Sequence, residues 1–336
     1  MARRIAVLLF CSLCVALTVS AQTTLNGAGA TFPNPIYSKW FSDYHNQHPD
    51  VQFNYQSIGS GGGIRQVTAG TVEFGASDGP MSDQQLSESK VKVMHFPTVL
   101  GSVVPAYNIP GVNQEVKFSP DVLAGIFLGH ITNWNDPKIA KDNAGIKFPD
   151  KPIVVAHRSD GSGTTYIFTD YLSKVSKEWA DSVGKGTSVR WPVGLGAKGN
   201  EGVSGVIRQM EGAIGYVELI YALQNKITFG SVKNAAGNFV KASLESTTAA
   251  AASVKQMPAD FRVSITNAPG ANAYPIASFT WLLIPTQWKD PAKAKIMVEF
   301  MNWMLDTGQG EVQTLDYAPL PTEVVKMEKA KLGMIK

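Results

Sequence analysis

Cysteine is almost absent from this sequence, whose 336 residues contain only Cys11 and Cys14. Both lie in an N-terminal stretch that we expect to be removed, so the chain from residue 22 onward offers no thiol. Disulfide bonds, Cys-ligated metals and cysteine nucleophiles are therefore excluded from the mature chain. We expect no metal and no other cofactor at its site.

An excess of charge of either sign is also lacking. Lys and Arg number 30 against 27 Asp and Glu, and loss of the first 21 residues, which carry Arg3 and Arg4 and no acid, leaves 28 against 27. This balance gives no general attraction to nucleic acid or to a membrane surface, so neither is an expected partner. The 44% of hydrophobic residues and 17% of charged residues are typical of a globular chain and exclude a disordered one.

Long apolar runs are confined to the N-terminus. Arg3 and Arg4 precede an uncharged run over residues 5–19, which the small residues Ser20 and Ala21 follow. This order predicts a secretory signal cleaved near Ala21, and a run of about 15 residues is short for a bilayer of ~30 Å. We therefore expect residues 1–21 to be a signal peptide and the mature chain to be an exported protein that does not span the membrane.

Short β-like runs alternate with amphipathic helical runs along the rest of the chain, which is typical of an α/β protein. Aromatic residues predict a helix over residues 37–44, and Met and Phe residues predict another over 297–304; both apolar faces are interpreted as core. The Ala- and Thr-rich stretch 246–253 is interpreted as a helix or a linker. Two domains are expected for about 315 mature residues. The predicted strands are 51–55, 72–75, 99–107, 153–157, 213–217 and 279–284.

Glycine and hydroxyl residues cluster at three turns, each placed where a β-like run meets a helical run: residues 25–33, 58–63 and 157–164. A helix begins with unpaired N–H groups and the positive end of its dipole. Glycine lets a ligand approach this backbone closely, and a Ser or Thr hydroxyl adds a donor. Each turn alone is explained as an ordinary helix N-cap. Three together, with Arg158 in the third, favour a binding site for an oxyanion.

One acidic residue narrows the choice of anion. Residues 74–80 place Asp78 in a small-residue loop at the end of a predicted strand. An ionised Asp accepts hydrogen bonds but donates none, so it suits a ligand that keeps an O–H group at neutral pH, as phosphate does and sulfate does not. Facing sulfate, the carboxylate would stay unpaired at a cost of about 1–3 kcal/mol. The alternative is a solvated Asp in a turn.

Two other motifs compete with this interpretation. Residues 75–79 fit the nucleophile elbow of serine hydrolases around Ser77, but Pro80 disfavours the helix that must follow, and none of the five histidines lies in a motif that identifies a base. Residues 194–199 fit a dinucleotide fingerprint, but no helix is expected after Gly199. A binder of another tetrahedral oxyanion and an extracellular phosphatase that uses a loop serine stay open as alternatives.

Nine short motifs carry a family resemblance along the chain, and they are, in order, Gly27-Ala28-Gly29-Ala30-Thr31-Phe32-Pro33, Ile58-Gly59-Ser60-Gly61-Gly62-Gly63, Phe74-Gly75-Ala76-Ser77-Asp78, Phe96-Pro97-Thr98-Val99, Leu128-Gly129-His130-Ile131-Thr132-Asn133-Trp134, Asp160-Gly161-Ser162-Gly163-Thr164, Trp191-Pro192-Val193-Gly194, Ile214-Gly215-Tyr216-Val217-Glu218 and Leu315-Asp316-Tyr317-Ala318-Pro319-Leu320-Pro321. On these motifs the mature chain resembles the periplasmic phosphate-binding proteins of bacterial high-affinity phosphate ABC transporters.

The resemblance implies a two-lobed α/β protein of the periplasmic-binding-protein fold, type II. Each lobe is a β-sheet with flanking helices, and two crossover segments, near residues 104–107 and 274–278, join them. Residues 22–105 and 276–336 would form one discontinuous lobe and residues 106–275 the other. The resemblance also implies that the protein binds inorganic phosphate in the cleft, catalyses no reaction, acts as a monomer and delivers its ligand to an inner-membrane permease with ATPase subunits.

The resemblance further implies a set of site residues. Eight residues match phosphate contacts from the two lobes: Thr31, Phe32, Ser60, Asp78, Arg158, Ser162, Gly163 and Thr164. Phe32 would contribute its N–H, and Asp78 would accept the phosphate proton. Asp160 matches the acid that pairs with Arg158 and holds its guanidinium in place. Some members have a second Ser where this chain has Gly61, so a backbone contact without a hydroxyl is expected there.

Overall fold

The computed structural model describes residues 22–336, so the predicted export signal and both cysteines lie outside the described residues. Strands and helices alternate along this part of the chain. The strands are β1 (Thr23–Gly29), β2 (Val51–Ser57), β3 (Phe74–Ser77), β4 (Val93–Tyr107), β5 (Lys117–Phe118), β6 (Val154–Arg158), β7 (Leu195–Ala197), β8 (Ala213–Glu218), β9 (Thr228–Phe229), β10 (Ser231–Lys233), β11 (Phe239–Val240) and β12 (Ala277–Pro285).

The α-helices are α1 (Asn34–Gln47), α2 (Ser60–Ala69), α3 (Asp83–Glu88), α4 (Pro120–Phe127), α5 (Pro137–Asp142), α6 (Gly163–Val175), α7 (Lys177–Ser182), α8 (Gly199–Gln209), α9 (Leu219–Gln224), α10 (Leu244–Ala251), α11 (Pro291–Asp306) and α12 (Thr322–Leu332). Two short 3₁₀ helices, Gly308–Gly310 and Val312–Leu315, lie between α11 and α12.

One long strand connects the two halves of the main sheet. Within residues 22–336 this sheet has the order β2-β1-β3-β12-β4-β8-β6-β7, with β9 also paired to β4, while β5, β10 and β11 form a second, small sheet. Residues 93–102 of β4 pair antiparallel with β12, and residues 103–107 pair antiparallel with β8. The protein is therefore a two-lobed mixed α/β structure, with β4 running from one lobe into the other.

The parallel strands of each lobe end at the same edge of their sheet. In the first lobe β1 pairs in parallel with β2 and β3, and in the second lobe β6 pairs in parallel with β7 and β8. Parallel neighbours require crossover connections, which here contain helices such as α1, α2 and α8. The turns after β1, β2 and β6 therefore lie at strand carboxyl ends, where open α/β sheets place their ligands.

Apolar helix faces build the core as the periodicity predicts. Tyr37, Trp40, Phe41 and Tyr44 of α1 are at most 7% exposed, and the Phe41 ring stacks on that of Phe53 with centroids 4.8 Å apart. The Met and Phe face of α11 is buried in the same way. Both predicted helices and all six predicted strands are confirmed, although β3 begins at Phe74 because residue 72 lies in a bend. The Ala- and Thr-rich stretch is a helix, α10.

The expectation that no helix follows Gly199 was wrong. Helix α8 begins at this residue, which has a φ of +73°. Gly202 and Gly205 lower the intrinsic helix propensity of the segment. Val203 and Ile207, at i and i+4, are nevertheless fully buried, and this tertiary packing stabilises the helix.

No helix within residues 22–336 is both long enough and apolar enough to cross a membrane.

Candidate functional site

The second and third glycine and hydroxyl turns meet between the lobes. The N–H of Gly61 donates to the Gly161 carbonyl at 2.8 Å, so the backbone group expected to contact a ligand at Gly61 instead joins the two lobes. A Cβ built on Gly163 would lie 2.4 Å from both Ser60 Oγ and Asp78 Oδ2. The lobes are therefore closed on one another at this point, and only glycine fits at position 163 in this arrangement.

The eight residues matched to ligand contacts gather at this junction, and all are buried: Thr31, Phe32, Ser60, Asp78, Arg158, Ser162, Gly163 and Thr164. The first turn is joined to the third by one amide, since Asn200 Nδ2 donates to Thr31 Oγ1 at 2.8 Å and to Thr164 Oγ1 at 3.1 Å. All three turns are thus brought together at the junction between the lobes.

Three tyrosine hydroxyls fix the backbone of the first turn. The carbonyls of residues 30, 31 and 32 accept hydrogen bonds from Tyr55, Tyr221 and Tyr317 at 2.7, 2.6 and 2.6 Å respectively. Burial raises the pKa of all three phenols, so they stay protonated and continue to donate. Because the N–H and carbonyl of a trans peptide point in opposite directions, these bonds orient the N–H groups of residues 31 and 32 away from the tyrosines.

Arg158 is held by a bidentate ion pair with Asp160. Its Nε and Nη2 donate to the two carboxylate oxygens at 2.7 and 2.6 Å, and its side chain is only 1% exposed. Burial disfavours the charged form of Asp160, but the hydrogen bonds and charge of Arg158 outweigh it, so the pKa of Asp160 is lowered. The pairing predicted from the sequence is therefore in place, and it leaves Nη1 to face Thr164 Oγ1 at 3.4 Å.

Three buried hydroxyls have their acceptor side occupied and their protons unused. Thr31 Oγ1 and Thr164 Oγ1 accept from the Asn200 amide, and Ser162 Oγ accepts from the Thr165 N–H at 3.0 Å. Among the described residues none accepts a hydrogen bond from these hydroxyls. Since each hydroxyl carries one donor proton, the site presents three O–H groups to any acceptor placed among them.

Two helix N-termini add backbone donors. Helix α6 begins at Gly163, with Ser162 as its N-cap, and the N–H groups of Gly163 and Thr164 have no intrahelical acceptor because of their position in the first turn. Helix α2 begins at Ser60 in the opposite lobe. The positive ends of both helix dipoles therefore lie beside the hydroxyls and favour a negative ligand.

Asp78 is buried within this set of donors and is not a solvated turn residue, since it is only 1% exposed. Its Oδ1 accepts from Thr280 Oγ1 at 2.8 Å, and its N–H donates to Ser60 Oγ at 3.1 Å. Burial raises the pKa of Asp78 to about 7, although a hydrogen bond from Thr280, the charge of Arg158 and a hydrogen bond from Ser60 act to lower it. The site therefore combines many donors with one buried carboxyl group.

The hydrolase motif has no catalytic geometry. The Ser77 hydroxyl donates to the Gly79 carbonyl, and among the described residues no imidazole contacts it. The nearest histidine along the chain, His95, accepts from the Met81 N–H at 3.0 Å instead. Ser77 is therefore not arranged as a nucleophile with a general base.

Comparison with known proteins identifies the family of this chain. A family model described as a PBP superfamily domain matches residues 16–307. The chain is 47% identical to the phosphate-binding protein PstS of Xylella fastidiosa, over 91% of this chain and 84% of that protein. It is 46% identical to the phosphate-binding protein PstS of Pasteurella multocida, over 94% and 91%. The chain belongs to the family of phosphate-binding proteins.

The solved structures show that the fold is shared. A high-affinity periplasmic phosphate-binding protein, PfluDING, solved with bound phosphate, has a TM-score of 0.76 with this chain at 24% identity, covering 92% of this chain and 94% of that one. The two-lobed architecture expected from the family resemblance is therefore confirmed.

Three polar residues at the site were not singled out from the sequence. They are Asn200, Tyr221 and Thr280, which bond to Thr31, to the Thr31 carbonyl and to Asp78 respectively. The only local signal for Asn200 was its place directly after the glycine-rich run ending at Gly199. Thr280 and Tyr221 lie in ordinary strand and helix segments and carry no local signal.

Proposed function

We propose that this protein is an exported solute-binding protein that captures inorganic phosphate between its lobes and delivers it to an ABC importer. A single observation carries the proposal. Buried hydroxyl groups from both lobes, whose protons have no acceptor among the described residues, lie at the junction that also holds the buried carboxyl group of Asp78. This is the complement of a tetrahedral oxyanion that carries one proton.

The donors favour an anion without requiring a large positive charge. Arg158 is the only cation named at the site, and Asp160 neutralises most of its charge. The remaining attraction comes from the N–H groups of Phe32, Gly163 and Thr164 and from the hydroxyls of the two lobes. Such fixed dipoles bind an anion strongly because they are already oriented in a water-poor environment.

The acceptor distinguishes phosphate from sulfate. Above pH 7, where Asp78 is mainly ionised, a phosphate O–H donates to Asp78 Oδ2, whereas sulfate has no proton to donate and faces a carboxylate that repels it. Sites that are built to bond a ligand proton discriminate by up to about 10⁴-fold, because a mismatched ligand leaves a buried polar group unpaired. Arsenate shares the proton and nearly the shape of phosphate, so it should compete.

Individual roles follow from this arrangement. Hydroxyl groups donate hydrogen bonds to the ligand from Thr31, Ser60, Ser162 and Thr164, and backbone N–H groups donate from Phe32, Gly163 and Thr164. The guanidinium of Arg158 also donates and is oriented by Asp160, while Asp78 accepts a hydrogen bond from the ligand proton.

We further propose that residues 22–105 with 276–336 move as one lobe and residues 106–275 as the other. The change of partner along β4, from β12 to β8 after residue 102, supports this division.

Delivery to the membrane completes the proposal. The mature protein acts in the periplasm as a monomer after cleavage near Ala21, and its closed form is recognised by the permease, which works with its ATPase subunits. Ligand binding favours the closed form because residues from both lobes contact the ligand only there. The protein catalyses no reaction.

Titration calorimetry of the chain from residue 22 onward tests the proposal. We expect one phosphate per chain, competition by arsenate and far weaker binding of sulfate. If sulfate binds as tightly as phosphate, Asp78 does not select between the two anions. If phosphate does not bind, the proposal as a whole is contradicted. Turnover of an aryl phosphate by the same preparation would show an enzyme instead.

A further inference from the structure

We propose that Asn200 and Tyr221 of the second lobe form a latch on Thr31 of the first lobe, and that this latch presents the donors of Thr31 and Phe32 only when the lobes close. Both would be positioning residues that act through Thr31. The inference rests on the proposed function and adds to it a coupling between closure and recognition.

The Asn200 amide has a fixed orientation and a defined direction of donation. The residue is fully buried in the first turn of α8. Its Oδ1 accepts from the Glu218 N–H at 3.0 Å, which identifies the oxygen and turns Nδ2 toward the cleft. There Nδ2 donates to Thr31 Oγ1 and to Thr164 Oγ1. Since Nδ2 occupies an acceptor site on each hydroxyl, their protons point to the remaining space in the cleft.

Tyr221 holds the same residue through its backbone. Its hydroxyl, carried by α9, donates to the Thr31 carbonyl at 2.6 Å, closer than its alternative acceptor, Glu201 Oε1, at 3.1 Å. The peptide that carries this carbonyl also carries the N–H of Phe32, which points the opposite way. The Tyr221 hydroxyl therefore helps to set the direction of the Phe32 N–H.

The latch spans the two lobes. Thr31 follows β1 in the first lobe, whereas α8 and α9 flank β8 in the second. When the lobes separate, these bonds break and water replaces them, so the Thr31 hydroxyl loses its imposed direction. Closure thus forms three bonds to Thr31, from Asn200 Nδ2, from the Asn200 N–H at 3.4 Å and from the Tyr221 hydroxyl. It orients two ligand donors in the same step, so loss of the latch should shorten the lifetime of the complex more than it slows association.

A double-mutant cycle on phosphate binding tests this coupling. Asn200→Ala should weaken binding by about tenfold or more, mainly through faster dissociation. In a Thr31→Val background the same change should cost clearly less than in the parent, because one of the two hydroxyls that Asn200 orients is already gone and only the Thr164 hydroxyl is left to lose its direction. A merely structural Asn200 would give equal losses in both backgrounds, and equal losses would overturn the proposal.

Two further variants keep the test interpretable. Tyr221→Phe removes only one oxygen, and we expect about tenfold weaker binding and faster dissociation with little change in the melting temperature of the unliganded protein. Ser204→Ala is the control, since Ser204 lies on the same helix, is buried and has no partner for its Oγ among residues 22–336. The phosphate affinity of this variant should stay within about twofold of the parent. If the native protein binds phosphate and the Asn200→Ala and Tyr221→Phe variants bind it as tightly as the native protein does, the latch is refuted but the proposed function is not. Native protein that fails to bind would refute the proposed function itself.

Discussion

Replacing Gly163 by alanine tests whether the site works only when the lobes close fully. Gly163 is the first residue of α6, where alanine suits the backbone, so folding should not suffer. In the closed protein, however, the new methyl group would lie 2.4 Å from Ser60 Oγ and 2.4 Å from Asp78 Oδ2. Both atoms belong to the opposite lobe, so the substitution should act on closure and leave each lobe intact.

The size of the effect follows from the contacts around these two atoms. Carbon atoms of this kind essentially never approach a neighbour within 3.0 Å, so one side must move. Asp78 is held by Thr280 and by its own N–H bond to Ser60 Oγ, and neither side chain is free to move aside. Overpacking of this kind costs about 1–3 kcal/mol, which corresponds to about 5- to 150-fold weaker phosphate binding.

Calorimetry and small-angle scattering measure the two consequences together. Phosphate should bind the Gly163→Ala protein more weakly, and the liganded variant should keep a larger radius than the liganded parent. Gly205→Ala is the matched control because a Cβ at Gly205, on α8 in the same lobe, meets no atom of the described residues within 4 Å. This substitution should raise helix stability by about 0.5–1 kcal/mol and leave the phosphate affinity unchanged. Unaltered affinity and compaction in Gly163→Ala would refute the closed-site reasoning.

Two other predictions concern charge. Arg158→Lys should weaken phosphate binding by about 1–3 kcal/mol, because an ammonium cannot keep the bidentate bond to Asp160 while facing the ligand. Calorimetry on this variant and on the exposed control Arg208→Lys measures the change in phosphate affinity. An affinity of Arg158→Lys within about twofold of the parent would exclude Arg158 as a ligand contact. Burial raises the pKa of Asp78 to about 7, so at lower pH its acid form can donate to an anion. Sulfate binding should therefore strengthen as the pH falls through this value, by at most about tenfold per pH unit for one linked proton, and a pH-independent sulfate affinity would contradict this.

Local patterns in the sequence predict the donors of the site and its acceptor. The turns 25–33, 58–63 and 157–164 each combine glycine, a hydroxyl and a following helix, and these features depend on residues within about one turn of each other. Asp78 follows in the same way from its small-residue loop. These patterns do not predict whether the turns lie close together in the fold. The structure shows that they do, since Gly163 contacts Asp78 and Ser60.

The residues that hold Thr31 and Asp78 in place could not be predicted from local patterns, because their partners are distant along the chain. Asn200 lies 169 positions from Thr31, Tyr221 lies 190 positions from it, and Thr280 lies 202 positions from Asp78. The first two bonds form because the two lobes meet, and the third forms because β12 pairs with β3 inside the first lobe. Helix α8 was missed for a related reason, since burial of Val203 and Ile207 overrides the low propensity of its glycines.

The selectivity of Asp78→Asn, measured by calorimetry with phosphate and with sulfate, tests the central claim most directly. The neutral amide can donate a hydrogen bond to an anion and, unlike the carboxylate, does not repel it. Phosphate binding should therefore weaken by about 1–3 kcal/mol while sulfate binding strengthens, and the preference for phosphate over sulfate should shrink at least about tenfold. The surface control Asp83→Asn, whose side chain is 91% exposed, should keep the parent preference. An unchanged ratio of phosphate affinity to sulfate affinity in Asp78→Asn would show that this carboxylate does not select phosphate by accepting a hydrogen bond from its proton.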